Sequence, residues 1–185
     1  MKRTFLAIKI SDFTKNLITA IYEDLPELDK KLKRANIDNP HITIKFLGDI
    51  KEDNIQPIGD DLKQELENFS KFGFEIASTG VFPKPSRPTV FWLGVGKGAK
   101  KLEQLHKKVE KVTNNYNISQ DKRSFTPHLT IGRKRKGARI TDIDQFLDYD
   151  FKPVYNQVDE LIFFESILKS SGAIHKPLTK IKLEG

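Results

Sequence analysis

The sequence predicts an α+β protein with antiparallel or mixed sheets, and three observations support that fold class. Strand-like apolar segments alternate with amphipathic helical segments along most of the 185 residues. Two strands nevertheless follow one another within residues 72–95 with no helix between them, which argues against a purely parallel sheet. The pattern Pro-His-aliphatic-Thr-Ile also occurs twice, at residues 40–44 and 127–131. This repetition predicts two similar lobes that face each other across a central cleft.

The first half of the chain is predicted to alternate strands and helices. Residues 3–10 are apolar enough to form a central strand. A helix over 13–25 follows, because apolar residues recur there every three to four positions, a polar cap precedes them and a proline comes directly after them. A strand over 41–48 and an amphipathic helix over 55–69 then repeat the same order.

The second half is predicted to contain more strands than helices. Prolines keep the loop between its first two strands open. In chain order, its elements are strands over 72–82 and 89–95, a helix over 99–115, a strand over 126–133, a short helix over 143–147, and closing strands over 158–169 and 176–183. Together with the paired motifs, this order predicts one bilobal, pseudo-symmetric domain over 1–185 in which helices flank the sheets.

Composition restricts the class of protein. The formal net charge is +7 and the isoelectric point is about 9.4, which favours a polyanionic partner such as RNA. The chain has no cysteine, so disulfides and thiolate metal sites are excluded. No apolar run approaches the length of a membrane span and no signal-like segment follows Met1. We therefore expect a cytoplasmic monomer without membrane contact.

The first motif places a histidine and a threonine on one face of its strand. Because strand side chains alternate between faces, His41, Thr43 and Lys45 share one face. The apolar residues between them, and Phe46 after them, share the other. The strand can therefore bury its aliphatic side chains in a core and present His41 and Thr43 on the opposite side, with Lys45 flanking the same cleft.

The second motif repeats this arrangement and leads into a basic segment. His128 and Thr130 share one face, opposite the aliphatic residues. Residues 132–139 include five basic side chains, most of which we expect to be solvated. Arg133 differs, because it continues the strand and its guanidinium group can bind a phosphate with two hydrogen bonds. Alternation places Arg133 on the aliphatic face, so the strand must twist or bulge before this side chain reaches the cleft.

Two imidazoles and two hydroxyls across a cleft suit in-line displacement at phosphorus. One imidazole takes a proton from the attacking water, and the other gives a proton to the leaving oxygen on the far side. The threonine hydroxyls donate hydrogen bonds to the non-bridging oxygens, where negative charge develops. Because unperturbed imidazole titrates near neutrality, one histidine can be neutral while its partner is charged.

These residues also have simpler interpretations. A lone His-x-Thr on a strand is more often structural, but two matches with the same flanking residues are hard to attribute to chance. A metal site needs at least three ligands. The other two histidines, His106 and His175, lack ligand spacing to the motifs, so we predict neither a metal nor a cofactor. His106 is expected at the surface, and Phe91 and Trp92 are expected in the core.

These segments resemble the 2H phosphoesterase superfamily. The similarity is greatest to the bacterial and archaeal RNA 2′,3′-cyclic phosphodiesterases, also called RNA ligase-like proteins. "HITIKFLGDI" (41–50) resembles the first family motif, "GVFPKPSRPTVFWLGV" (80–95) the middle hairpin, and "FTPHLTIGR" (125–133) the second motif with its trailing arginine. The chain departs from the family at His175, where a tyrosine is usual.

The resemblance implies a fold and an activity. It implies a bilobal fold with both motifs lining a central cleft, and metal-independent hydrolysis of a terminal RNA 2′,3′-cyclic phosphate to a 2′-phosphate. His41 inherits the role of proton donor and His128 that of proton acceptor, while Thr43, Thr130 and Arg133 inherit the phosphate contacts. Some family members also join tRNA halves through a 2′–5′ linkage.

Three alternatives remain at the level of sequence. The first is a phosphodiesterase that acts on small cyclic nucleotides or ADP-ribose cyclic phosphate. The second is a non-catalytic nucleotide-binding module on the same fold, although such a module need not keep both histidines. The third is an RNA-binding protein without chemistry. The two motifs are also so alike that the sequence alone does not say which histidine is the acid.

Overall fold

The protein forms two antiparallel sheets with helices packed against them. The computed structural model describes residues 1–37, 39–120, 124–141, 143–169 and 172–184. Strands are β1 (Lys2–Lys9), β2 (Leu32–Arg34), β3 (His41–Ile50), β4 (Phe72–Phe82), β5 (Val90–Val95), β6 (His128–Lys134), β7 (Val154–Val158), β8 (Glu160–Lys169) and β9 (Gly172–Lys182). Helices are α1 (Asp12–Asp24), α2 (Pro26–Lys31), α3 (Glu52–Leu66), α4 (Ala99–Asn114) and α5 (Ile143–Leu147). The predicted α+β class is confirmed.

Each sheet contains one motif strand. The first, here called sheet A, has the order β3-β1-β8-β9, and the second, sheet B, has the order β2-β6-β5-β4-β7. All adjacent strands within the two sheets are antiparallel. Strands β3 and β6, which carry the two motifs, also contact each other between the sheets. The N-terminal and C-terminal strands lie together in sheet A, so each sheet combines segments that are distant in the chain.

Local sequence signals explain where α1 and α2 begin and end. Ser11 caps α1, because its hydroxyl accepts a hydrogen bond from the Thr14 amide at 3.4 Å. Pro26 was expected to end this helix, and α1 does end shortly before it, at Asp24. Pro26 itself begins the next helix. It occupies the first position of α2, where its missing N–H leaves no hydrogen bond unmade. The short α2 was not predicted.

The aliphatic faces of the two motif strands are buried in the main core. Ile42 and Ile44 of β3, and Leu129 and Ile131 of β6, each have at most 1% of their surface exposed. All four belong to one hydrophobic cluster that extends over both sheets and the helices. Burying one such side chain contributes about 1.5–3 kcal/mol. This burial fixes which side of each strand is left for the polar motif residues.

Two strands were not predicted from the sequence. β2 has only three residues and pairs solely with β6, so its segment carries little periodic signal. β7 is separated from β8 by Asp159 alone, and the prediction treated the end of β7 as the start of one long strand. In the part of the chain described above, none of the helices is long and apolar enough to cross a bilayer.

Candidate functional site

The histidine of the first motif is held by the backbone of its own segment. His41 Nδ1 donates a hydrogen bond to the Asn39 carbonyl oxygen at 3.0 Å. A carbonyl oxygen only accepts, so this contact places a proton on Nδ1 and leaves Nε2 as the free ring nitrogen. The ring packs 5.0 Å from the ring of Phe5 and 6.1 Å from that of Phe164, measured between centroids. His41 is therefore held in one tautomer and one orientation.

The histidine of the second motif is held in the same way. His128 Nδ1 donates to the Thr126 carbonyl oxygen at 2.7 Å, again two residues back along the chain. Its ring packs 5.0 Å from Phe82 and 6.0 Å from Trp92. In both motifs the intervening residue is a proline, which restricts the preceding residue to an extended conformation. The repeated Pro-His pattern thus gives both imidazoles the same tautomer, protonated on Nδ1 and unprotonated on Nε2.

The motif threonines lie on the same faces as the histidines. Thr43 pairs with Ala7 of β1, and Thr130 pairs with Trp92 of β5. Both side chains are half-buried. Neither hydroxyl makes a hydrogen bond within the described part of the chain, so both remain able to donate to a ligand.

A bulge in β6 brings Arg133 to the face of His128. Trp92 of β5 pairs with Thr130, but the preceding Phe91 pairs with Gly132, so β6 carries one extra residue at this point. Alternation is shifted by one position beyond the bulge, and Arg133 pairs with Val90 on the same face as Trp92. Burial lowers the pKa of His128, and the positive charge of Arg133 lowers it further. The strand irregularity that Arg133 requires is therefore present.

A bulge in β3 has the opposite effect on Lys45. Leu6 of β1 pairs with Lys45, whereas the next residue pairs with Thr43, which leaves Ile44 as the extra residue. Lys45 consequently points to the core side and is 5% exposed. Phe46 instead lies on the His41 side of the sheet and is 67% exposed. The sequence prediction placed these two side chains on the wrong faces, because it assumed unbroken alternation.

Sheet A curls so strongly that its two edge strands approach each other. His41 is on edge strand β3 and His175 is on edge strand β9, which a flat sheet would separate by about 14 Å, or three strand spacings. Their ring centroids are 5.1 Å apart, and the His175 ring also lies 4.9 Å from that of Phe5. His175 Nδ1 is buried and has no partner among the described residues. The sequence had offered His175 only as a departure from the family.

Strand β1 places two further side chains on the face of sheet A that carries His41. Phe5 is 2% exposed and belongs to a small buried cluster separate from the main core. Lys9 is exposed and pairs directly with His41. Strand alternation in residues 3–10 places both side chains on one face, and this signal was available in the sequence.

Trp92 lies beside His128 on the same face of sheet B. It is half-buried, whereas Phe91 is fully buried as predicted. The indole lies so close over Gly80 that a Cβ at that position would be 2.2 Å from the ring. Glycine at 80 is therefore needed for Trp92 to lie against the sheet and next to the motif.

Burial lowers the pKa of both motif histidines. Desolvation is the main cause for each, because it disfavours the charged imidazolium. The carbonyl contacts at Nδ1 oppose this effect, and nearby positive charge adds to it: His175 when protonated for His41, and Arg133 for His128. Desolvation also lowers the pKa of His175. The neutral form of both motif histidines is favoured near pH 7.

The two motif strands present imidazole and hydroxyl side chains, and β6 adds the guanidinium of Arg133. No group of three His, Asp or Glu side chains that could hold a metal ion occurs within the residues described above. His106 lies on the other side of β3. It is not the surface residue that was expected, because its side chain is 16% exposed and stacks on Phe125.

Known proteins are similar to this chain in sequence and in fold. A family model described as the 2′-5′ RNA ligase superfamily matches residues 16–167. The RNA 2′,3′-cyclic phosphodiesterase of Thermotoga maritima is 30% identical over 187 aligned positions, which cover 99% of this chain and 96% of that protein. The protein of the same name from Aeropyrum pernix is 33% identical over 158 positions, which cover 82% of this chain and 86% of that protein.

Solved structures agree with the family match. TT0787 of Thermus thermophilus superposes with a TM-score of 0.80 at 21% identity, and covers 99% of this chain and 98% of its own. Escherichia coli LigT complexed with 3′-AMP has a TM-score of 0.77 at 20% identity, with 98% of each chain covered. These two likenesses concern the fold. Together with the family match, they define the class as a 2H phosphoesterase. The chain belongs to the 2′-5′ RNA ligase superfamily, and the resemblance inferred from its sequence is confirmed.

Proposed function

We propose that this protein hydrolyses RNA 2′,3′-cyclic phosphate ends to 2′-phosphates by acid–base catalysis between His41 and His128. The observation that carries the proposal is the matched state of the two imidazoles. Each donates from Nδ1 to a backbone carbonyl and keeps Nε2 free, on strands that contact each other from different sheets. The relatives named RNA 2′,3′-cyclic phosphodiesterase support the choice of reaction.

The reaction proceeds by in-line displacement. His128 Nε2 takes a proton from water as the water oxygen attacks phosphorus. The bond from phosphorus to the 3′-oxygen breaks, and the departing oxygen takes the proton from Nε2 of protonated His41. The product carries a 3′-hydroxyl and a 2′-phosphate. The next turnover requires His128 to lose a proton and His41 to gain one, which exchange with solvent can accomplish.

The remaining cleft residues stabilise the charge on the phosphoryl group. The unpaired hydroxyls of Thr43 and Thr130 donate hydrogen bonds to the non-bridging oxygens. Arg133, which the β6 bulge brings to the same face as His128, binds the same group or the neighbouring phosphate of the strand. If a 5′-hydroxyl replaces the attacking water, the same displacement produces a 2′–5′ linkage, so we include RNA ligation as a second outcome at this site.

RNA is the substrate class that charge favours. The net charge is +7, and Arg133 is exposed on the same face of β6 as His128. The direct test offers an oligoribonucleotide with a 2′,3′-cyclic phosphate end, adenosine 2′,3′-cyclic phosphate and ADP-ribose cyclic phosphate in parallel. We expect the highest kcat/KM on the oligonucleotide, a 2′-phosphate product and undiminished activity in excess chelator. A higher kcat/KM on a small cyclic phosphate would refute RNA as the substrate, and loss of activity in chelator would refute the mechanism.

A sulfur substrate assigns the two roles. A 3′-thiolate leaves without protonation, so it removes the need for the acid but not for the base. We expect the His41→Ala variant to regain most of the wild-type rate on the 3′-sulfur cyclic substrate, while His128→Ala stays slow. The opposite pattern would exchange the roles, and rescue of neither would refute acid–base catalysis.

A further inference from the structure

A side-chain cluster on the core side of β3 contacts the first motif strand and the segment that leads into the second motif. His106 of α4 donates a hydrogen bond from Nδ1 to the Ile44 carbonyl oxygen at 2.8 Å. Its ring stacks on Phe125 at a centroid distance of 4.3 Å, with the two planes 6° apart. Phe125 directly precedes Thr126, whose carbonyl fixes the tautomer of the second motif histidine. One side chain therefore contacts segments that hold both candidate catalytic histidines.

The contact with Ile44 meets a specific need of the bulge. Ile44 is the extra residue of β3, so the ladder with β1 does not provide it with a regular partner. Its side chain is 1% exposed, and a buried carbonyl without a hydrogen bond is costly. His106 supplies that hydrogen bond. It thereby stabilises an irregular backbone between Thr43, which lies on the same face as His41, and Lys45, which faces the core.

The Lys45–Glu110 ion pair supports the same region. Lys45 Nζ donates to Glu110 Oε1 and, at 3.1 Å, to the Ser119 carbonyl oxygen. Glu110 lies one turn after His106 on α4, and its Oε1 is 3.7 Å from His106 Nε2. Ser119 and Phe125 both precede the second motif in the chain. The first motif strand is therefore connected at two points to the segment before the second motif: by the hydrogen bond from Lys45 to Ser119, and by His106, which bonds to β3 and stacks on Phe125.

We propose that His106 is a positioning residue for this site, which fixes the placement of the two motif strands relative to each other. It does not face the cleft and takes no part in proton transfer. The inference rests on the proposed function, since misplacement of a general acid or base is read through catalysis. A displacement of about 1 Å is enough to lower a rate by about 100-fold.

Three variants separate the two contacts of His106. His106→Asn keeps an N–H near the position of Nδ1 and removes the stacked ring, His106→Phe keeps the ring and removes the donor, and His106→Ala removes both. We expect kcat on the cyclic-phosphate oligonucleotide to fall by about 10- to 100-fold in His106→Ala, with KM within about twofold of wild type. His106→Asn and His106→Phe should each lower kcat by less than His106→Ala does. Gln104→Ala, exposed on the same helix, serves as the matched control and should keep the wild-type kcat.

Imidazole NMR gives a readout that is independent of substrate. We expect the ¹⁵N signals of His41 and His128 to shift in His106→Ala and not in Gln104→Ala, at a temperature where circular dichroism shows both variants folded. Unchanged signals, or a wild-type kcat in His106→Ala, would overturn the proposal. If His106→Ala does not fold, His106→Asn and Phe125→Leu provide the same comparison. If the wild-type protein cleaves no cyclic phosphate, the proposed function fails, and the NMR signals still decide the positioning role.

Discussion

Removing one partner of the Lys45–Glu110 ion pair is expected to be strongly destabilising. The two side chains are only 3% and 13% exposed, so water screens their charges weakly. In Glu110→Ala the Lys45 ammonium keeps a single acceptor in the described structure, the Ser119 carbonyl. An uncompensated buried charge of this kind costs about 3–5 kcal/mol. For a chain of 185 residues this corresponds to a fall in Tm of roughly 6–20 °C.

The assay is equilibrium unfolding in urea. Trp92 is the only tryptophan, so its fluorescence reports the transition, and far-UV circular dichroism checks that unfolding is two-state. Lys63→Ala is the matched control, because the Lys63–Asp60 pair is 49% and 54% exposed. Loss of such a surface pair costs about 0–1 kcal/mol.

A double variant distinguishes charge from packing. Lys45→Met with Glu110→Leu removes both charges and keeps most of the buried volume, so its free energy of unfolding should be close to that of wild type or higher. If Glu110→Ala lowers the free energy of unfolding no more than Lys63→Ala does, water screens the Lys45–Glu110 pair as strongly as it screens a surface pair. Burial would then not protect this ion pair from solvent screening, and the pair would give β3 no measurable support.

Three further predictions concern the candidate site. His41→Ala and His128→Ala should each lower kcat by about 10²- to 10⁴-fold, and the double variant should lose far less than the product of the two, while a wild-type rate in either single variant would contradict paired catalysis. The kcat/KM profile should peak below pH 6.5, because burial lowers the pKa of both histidines: the rate rises as His128 loses its proton and falls once His41 does. His175→Phe should raise the pKa of His41 slightly by removing a neighbouring positive charge, which moves the alkaline limb of the profile to higher pH. A peak above pH 7 would contradict the lowered pKa values of the two motif histidines. RNA affinity should fall as salt rises, with a smaller salt slope in Arg133→Ala, whereas equal slopes would show that Arg133 makes no phosphate contact.

Local patterns predicted the main elements and the side of each motif strand that is buried. The periodicities of helices and strands are carried by neighbouring residues, so they do not depend on the rest of the chain. The assignment of Lys45 and Phe46 failed because a β-bulge is defined by the partner strand. Nothing within residues 41–50 indicates that Ile44 will be the extra residue opposite β1. For the same reason, the sequence could bring Arg133 to the His128 face only if β6 carried a bulge, and the register between β5 and β6 decides whether it does.

The sequence by itself identified the family, and the residues next to each motif histidine account for its tautomer. Each imidazole contacts a carbonyl only two residues earlier, across a proline, so the short motif is sufficient to fix the tautomer. Tertiary structure decided which other groups meet these histidines. His175 reaches His41 only because sheet A curls and joins the two ends of the chain. His106 contacts both motifs only because α4 packs behind β3, and contacts between residues so distant in the chain depend on the packing of the whole fold.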